Sequence, residues 1–182
     1  MSEDFLTGFA PLADDDARVL ILGSMPSAAS LTLGRYYGHP RNRFWPVMAA
    51  LFPASADDLL SPDFDRRYAA LKKNGVALWD TIGRCRREGS LDSAIRDWTP
   101  NDIGGFLKTH PDIGLIILNG KKSEAVWRKS RGNVLFENRK PLRILTLLST
   151  SPANAAASLE TLTTLWREAL AESFPTDTFR NI

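Results

Sequence analysis

Four short runs of apolar residues recur along the chain, and each is followed by small or polar residues. The runs span 18–22, 76–79, 114–118 and 142–148. Apolar runs of this length without polar alternation are typical of strands that are buried on both faces of a parallel sheet. The pattern therefore predicts four parallel strands.

Segments with apolar residues three and four positions apart separate these runs. This spacing places the apolar side chains on one face of a helix. Helices are predicted at 42–52, 63–73, 101–108, 121–131 and 155–173. In the fourth helix Ala125 and Val126 are expected to face inward, and in the last an apolar stripe runs from Leu159 to Leu170. The basic segment 83–90 is predicted to be a loop.

The alternation of strands and helices predicts an α/β fold, a three-layer α/β/α sandwich with a central four-stranded parallel sheet. With 182 residues, of which 43% are hydrophobic and 24% charged, the chain fits one globular domain. We expect that domain to cover 1–182, with its core at about 18–174. The chain contains no apolar run of transmembrane length, and its acidic start is unlike a signal peptide, so we expect a cytoplasmic protein without membrane contact.

Small and polar residues follow all four predicted strands, at 23–27, 80–81, 119–121 and 149–151. In an open parallel sheet, the ligand crevice lies beyond the carboxyl ends of the strands. The sequence therefore predicts a site built from these four segments. Asp80 is placed there for chemistry or recognition, and the alternative is that it only caps a turn.

An aromatic cluster follows the first strand, where Tyr36, Tyr37, Phe44 and Trp45 fall within ten residues. An ordinary surface loop does not need so many rings, whereas a pocket that stacks a flat ring does. For Phe44 and Trp45, which lie at the start of a predicted helix, the alternative is packing in the core.

Charge and cysteine content narrow the chemistry only slightly. The formal net charge is +2, and basic residues cluster near residue 86 and between residues 121 and 131. Such clusters suit phosphate contacts or a solvated surface equally well. The single cysteine, Cys85, excludes an internal disulfide and any four-cysteine metal or iron–sulfur site within the chain.

Three segments resemble the hypoxanthine-DNA (deoxyinosine) glycosylase branch of the uracil-DNA glycosylase superfamily. They are Gly23-Ser24-Met25-Pro26-Ser27, the block from Tyr36 to Trp45, and Ser149-Thr150-Ser151-Pro152-Ala153-Asn154. The resemblance implies a monofunctional DNA glycosylase that hydrolyses the bond between deoxyribose and a deaminated base, hypoxanthine above all. It implies no metal or organic cofactor. The expected partner is double-stranded DNA with a damaged base, single-stranded DNA being the second form, and the expected state is a monomer.

The chain departs from the better-known uracil enzymes at four positions. Met25 stands where an acid or amide handles water, Ser149 where a stronger donor meets the base, and Asp80 where many relatives have a base-reading Asn. Ala153 stands where some relatives have an intercalating Leu. These departures match the hypoxanthine branch. The resemblance of the chain to that branch implies that Asn42 is the catalytic residue.

The resemblance distributes the remaining roles over the other motif residues. Asn119 is the second candidate for a catalytic contact to the base or to water. Ser149 is also a catalytic candidate, because it stands where relatives have a donor to the base. Expected base-binding residues are Ser24, Met25, Tyr36, Tyr37, Phe44, Trp45 and Asp80. Expected DNA-binding residues are Ser27, His39, Arg41, Lys121, Ser151, Pro152, Ala153 and Asn154. An ionised Asp80 would accept from the N1–H of hypoxanthine, and a protonated Asp80 would donate to its carbonyl oxygen; the sequence leaves both open.

Other functions stay open at this point. The nearest alternative is the same reaction on uracil or on mismatched G:U and G:T pairs. A damage-binding protein with weak catalysis would explain Met25 and Ser149. A hydrolase of free nucleosides would use a similar sheet, but it would not need the basic clusters.

Overall fold

The structure, a computed structural model, describes residues 5–130, 141–171 and 173–174. Its strands in chain order are β1 (Leu6–Thr7), β2 (Val19–Gly23), β3 (Val76–Asp80), β4 (Ile82–Arg86), β5 (Arg96–Pro100), β6 (Leu115–Asn119) and β7 (Arg143–Leu147). Its α-helices are α1 (Ala28–Leu33), α2 (Phe44–Leu51), α3 (Ala56–Leu59), α4 (Phe64–Lys73), α5 (Ile103–Thr109), α6 (Lys121–Ser130) and α7 (Leu159–Leu170). Among the residues so described, no helix combines the length and apolarity needed to cross a membrane.

The central sheet contains the four predicted strands, all parallel, in the order β3-β2-β6-β7. Gly23 at the end of β2 is paired with Asp80 at the end of β3, and Asn119 at the end of β6 with Leu147 of β7. The predicted four-stranded parallel sheet is confirmed. Its register brings the polar residues that follow each strand to one edge.

Helices cover both faces of the sheet, which confirms the α/β/α sandwich. Val19 and Ile21 of β2 pack in the cluster that contains residues of α2 and α7, among them the fully buried Trp166. Leu20 and Leu22 point to the other face and pack in the cluster that contains α5 and α6. Adjacent strand residues therefore serve opposite layers, as a strand buried on both faces requires.

The predictions for the fourth and the last helix need correction. In α6, Trp127 is buried together with Val126, whereas Ala125 is exposed. Residue 131, the predicted end of this helix, lies outside the described residues. The last helix starts at Leu159 after Ser158, whose hydroxyl accepts from the Thr161 N–H, and Leu159 itself is exposed.

The structure also contains a second, three-stranded sheet in the order β1-β4-β5. The sequence does not predict it, because the basic segment 83–90 is typical of a loop. Residues 82–86 instead form β4, which pairs antiparallel with β1 and β5. Only Ile82 and Cys85 of β4 are fully buried, while the guanidinium groups of Arg84 and Arg86 lie over the ring of Phe5. A strand with so little apolar content carries no alternating signal, so its basic residues indicate a loop when read alone.

Candidate active site

A cavity of about 550 Å³ lies at the carboxyl ends of the four parallel strands. Residues that follow all four strands line it, as the sheet topology predicts. The predicted site residues that line it are Ser24, Met25, Ser27, Tyr36, Tyr37, Asn42, Asp80, Asn119, Lys121, Ser149, Ser151, Ala153 and Asn154.

Five predicted site residues lie outside the lining of this cavity. Phe44 and Trp45 are buried in the core cluster that also contains Trp166, which favours core packing over the predicted base binding. Both belong to α2, where Trp45 contacts the rings of Phe64 and Tyr68 and Phe44 lies behind the ring of Tyr37. The remaining three residues are His39, Arg41 and Pro152.

The Asp80 carboxyl is the most unusual polar group of the site. The residue is only 4% exposed, and its Oδ2 atom is buried without a hydrogen-bond partner among the described residues. Burial, and secondarily the negative charge of Asp92, raises the pKa of Asp80 to about 7, while the positive charge of Arg87 opposes the rise. A buried, unpartnered carboxyl with such a pKa at a cavity wall is characteristic of functional sites.

Asp92 and Arg87 both hold the loop that follows β2. Asp92 accepts a hydrogen bond from the Ser24 hydroxyl at 2.7 Å, and Arg87 donates to the Pro26 carbonyl. The Ser27 hydroxyl caps α1 by accepting from the Ser30 N–H at 3.2 Å. Because the hydroxyls of Ser24 and Ser27 are engaged within the protein, this loop is held in a fixed shape.

Tyr37 supplies the aromatic wall of the cavity. Its ring stacks on that of Phe44 with 3.9 Å between the centroids, and its backbone has a φ of 52°. Positive φ is uncommon for a bulky residue and marks a constrained turn. Burial, and secondarily the nearby Asp80, raises the pKa of Tyr37, so the phenol stays neutral.

Tyr36 also lines the cavity but is tied into the core. Its hydroxyl donates to the Ala10 carbonyl at 2.9 Å, and its N–H donates to the Tyr68 hydroxyl at 2.7 Å. Burial raises the pKa of Tyr36 as well. These contacts leave Tyr37 as the better placed of the two rings for stacking on a ligand.

Asn119 links Tyr37 to the loop after β7. Its Nδ2 donates to the Tyr37 hydroxyl at 3.2 Å and to the Thr150 hydroxyl at 3.0 Å, and its Oδ1 accepts from the Thr150 N–H at 3.0 Å. Both N–H groups are therefore occupied. This geometry suits a residue that positions Tyr37 better than one that contacts a base or water.

The Asn42 side chain has the opposite arrangement. Its Oδ1 accepts from the Phe44 N–H at 2.9 Å at the start of α2, which fixes the orientation of the amide. Its Nδ2 donates no hydrogen bond to any residue that the structure describes, although the side chain lines the cavity. Asn42 thus offers a fixed, available donor.

The loop that carries Ser149 is clamped from outside by Arg43. The guanidinium of Arg43 donates to the carbonyls of Ser151 at 2.9 Å, Asn154 at 2.6 Å and Ala157. Within the loop, the Ser149 hydroxyl accepts from the Ser151 N–H at 3.2 Å. Arg43 directly follows Asn42 in the chain. Arg43 therefore connects the turn that contains Asn42 to the loop that carries Ser149.

Sequence reasoning missed the segment Ser90-Leu91-Asp92, which also lines the cavity. This segment connects β4 to β5. The sequence does not indicate that it belongs to the site, because the second sheet is not predicted either. Its only signal in the sequence is a leucine between serine and aspartate. Within the described ranges, no three His, Cys, Asp or Glu side chains come together as a metal site.

Comparisons with known proteins agree with this architecture. A family model described as the uracil DNA glycosylase superfamily matches residues 10–171. A protein of Methanosarcina barkeri named hypoxanthine DNA glycosylase is 38% identical over 116 residues, which cover 64% of this chain and 72% of that protein. A protein of the same name from Methanosarcina acetivorans is 36% identical over the same shares of the two chains.

The fold is also similar to a solved structure. A solution NMR structure from Methanosarcina acetivorans, described as a candidate uracil DNA glycosylase, superposes with a TM-score of 0.70 and 29% identity. The similarity covers 91% of this chain and 99% of that one.

Proposed function

The chain belongs to the uracil DNA glycosylase superfamily, and we propose that it is a monofunctional DNA glycosylase whose substrate base is hypoxanthine. Two relatives that carry the name hypoxanthine DNA glycosylase support the choice of base. That the protein acts as a monomer stays a prediction. That it acts in the cytoplasm also stays a prediction.

The single observation that carries the proposal is the buried Asp80 carboxyl. A buried polar atom without a partner costs free energy, so its persistence at a cavity wall indicates that a ligand supplies the partner. The Oδ2 atom of Asp80 is such an atom, and Asp80 lines the cavity. The ligand must therefore present polar groups that match a carboxyl.

The protonated form of Asp80 matches the Watson–Crick edge of hypoxanthine. The acid O–H donates to O6 of the base, and the acid carbonyl accepts from N1–H, so two parallel hydrogen bonds form. With the pKa of Asp80 at about 7, a substantial fraction of the enzyme carries this proton at neutral pH. Asparagine, the residue expected here in many relatives, presents the same donor and acceptor.

The protonated form also suits the chemistry. When the bond between C1′ and N9 breaks, its electron pair leaves with the purine, which becomes negative. A donor at O6 stabilises this charge, whereas an ionised carboxylate would repel it. Water adds to C1′, and the proton that it releases neutralises the purine anion, so the products are an abasic site and free hypoxanthine.

Asn42 and Tyr37 complete the proposed mechanism. The available Nδ2 of Asn42 donates to the oxygen of the attacking water and leaves a lone pair directed at C1′. The ring of Tyr37, supported from below by Phe44, stacks on the extruded base. Asn119 keeps that ring in place through the Tyr37 hydroxyl.

Several polar residues at the cavity rim support contact with DNA phosphates. Lys121 and Lys122 follow β6 at one side of the mouth, and Ser151 and Asn154 lie in the loop clamped by Arg43. Lysine side chains and backbone N–H groups in such loops are common phosphate ligands. These contacts would hold a duplex across the cavity.

Uracil is the second candidate base, because its N3–H and adjacent carbonyl form the same edge. Asp80 alone therefore does not separate the two bases. The printed names of the two curated relatives favour hypoxanthine.

Single-turnover reactions on matched labelled duplexes, one with deoxyinosine and one with deoxyuridine, test the proposal. Hypoxanthine release that yields strand breaks only after alkali is expected for a monofunctional enzyme, and Asp80→Ala should abolish it. Release of uracil alone would discard the proposed base. Release from neither duplex, with tight binding to the lesion or with hydrolysis of free deoxyinosine, would favour a damage-binding protein or a nucleoside hydrolase.

A further inference from the structure

An exposed leucine stands in the lining of the cavity. Leu91 is 62% exposed and lies in the connection between β4 and β5. Exposed apolar side chains scattered over a surface need no explanation, but one held at a binding cavity marks an apolar contact with a ligand.

Hydrogen bonds on both sides hold Leu91 in place. The Ser90 hydroxyl accepts from the Ala28 N–H at 3.0 Å, and the Asp92 carboxylate accepts from the Ser24 hydroxyl at 2.7 Å. Asp92 also begins a short 3-10 helix that leads to the buried Ile95. The segment is thus attached to the loop after β2, and the Leu91 side chain is presented by a fixed backbone.

Extrusion of a base leaves a gap in the duplex, and enzymes commonly fill such gaps with an apolar side chain. The loop after β7 presents Ala153 at the cavity, and one methyl group is too small to replace a base. We propose that Leu91 is the wedge that enters the duplex and occupies the space of the extruded nucleotide. This assignment rests on the proposed DNA glycosylase function.

Leu148 is the other exposed leucine of the lining, at 43% exposure. It directly follows β7 and precedes Ser149, so it lies at the carboxyl end of a strand of the central sheet. Leu91 is more exposed and belongs to the connection between β4 and β5 of the second sheet. These differences favour Leu91 as the residue that reaches into the duplex.

The test compares one lesion sequence as a duplex and as a single strand, because a wedge acts only where bases are stacked and paired. Leu91→Ala should slow single-turnover excision from the duplex by about tenfold or more and change the single-strand rate by less than about twofold. Leu91→Phe, which keeps a large apolar side chain, should retain most of the duplex rate. Leu60→Ala is the matched control, because Leu60 is 52% exposed and lies outside the lining of the cavity.

A binding measurement decides the question when the single strand is not cleaved. A duplex with 2′-fluoro-deoxyinosine, which resists hydrolysis, carries 2-aminopurine beside the lesion. Wild type should raise the 2-aminopurine fluorescence by unstacking it, and Leu91→Ala should raise it less at saturating protein.

The outcomes separate this assignment from the proposed function. Equal duplex rates for Leu91→Ala and wild type, an equal loss on both DNA forms, or a duplex-selective loss in Leu148→Ala alone would overturn the wedge and leave the glycosylase intact. No base release by the wild type from either form would overturn the glycosylase, and the wedge with it.

Discussion

Gly23 lies directly opposite Asp80 on the neighbouring strand, and a methyl group on Gly23 would come within 2.3 Å of the Asp80 Oδ1 atom. That separation is far below van der Waals contact. The carboxyl would have to move away from this strand and into the cavity that Asp80 lines. The glycine at the end of β2 therefore sets the position of the carboxyl at the end of β3.

Gly23→Ala should reduce excision strongly by displacing Asp80. A displaced donor costs on the order of a hundredfold in rate, judged from the loss of single transition-state donors in other enzymes. The measurement is single-turnover excision, with far-UV circular dichroism to show that the fold persists. Gly114→Ala is the matched control, because no atom lies within 4 Å of the added methyl group. A normal rate for Gly23→Ala would remove Asp80 from the site.

Asp80→Asn should stabilise the protein above neutral pH. The pKa of Asp80 is 3.8 in its ordinary state and about 7 when folded. Below both values the carboxyl is protonated in both states and has no effect. As the pH rises from about 4 to about 7, the unfolded chain loses the proton first, so the folded state is progressively penalised.

The full penalty is present above about pH 7 and corresponds to about 4 kcal/mol for a shift of about three units. Removing the charge should raise the free energy of unfolding by about 2–4 kcal/mol at pH 8 and by less than about 1 kcal/mol at pH 4. Urea denaturation at both pH values measures this difference. Equal stability of wild type and variant at pH 8 would mean that the carboxyl is solvated.

Asn42→Ala should abolish most excision while DNA binding persists, because the amide acts on water in the transition state. We expect a loss of about a hundredfold or more in single-turnover rate and a change of a few-fold in affinity for the lesion duplex. The variant also loses the hydrogen bond to the Phe44 N–H, which should cost about 1 kcal/mol of stability.

Asn42→Ser separates these two effects. A serine hydroxyl accepts from the helix N–H but does not reach the position of the amide donor. It should therefore restore stability and leave excision impaired. A stable Asn42→Ser variant with a near-normal rate would show that Asn42 only fixes the turn before α2.

The sequence allowed prediction of the central sheet and the location of the crevice, because strands buried on both faces are continuous apolar runs. It did not allow prediction of the antiparallel sheet, since only two positions of β4 are fully buried and two others are arginines. The site segment around Leu91 was lost with that sheet. Its relation to Ser24 and Ala28 depends on hydrogen bonds across more than 60 residues.

The aromatic block shows a different limit of sequence reasoning. Tyr36, Tyr37, Phe44 and Trp45 are equivalent as candidates for stacking when only their types are known. The helical phase of α2 turns Phe44 and Trp45 inward, and the positive φ of Tyr37 turns its ring to the cavity. Asn42 and Asn119 likewise differ only in which of their amide atoms are already hydrogen-bonded.

The pH dependence of excision tests whether the protonated form of Asp80 binds the base. For the wild type, single-turnover kcat/KM on a deoxyinosine duplex should be constant below pH 7 and fall about tenfold per pH unit above it, since the pKa of Asp80 is about 7. Asp80→Asn should remain active and show no such fall, and it also corrects for ionisation of the substrate. A wild-type rate that rises through pH 7, together with an inactive Asp80→Asn, would show instead that the ionised carboxylate of Asp80 recognises the base.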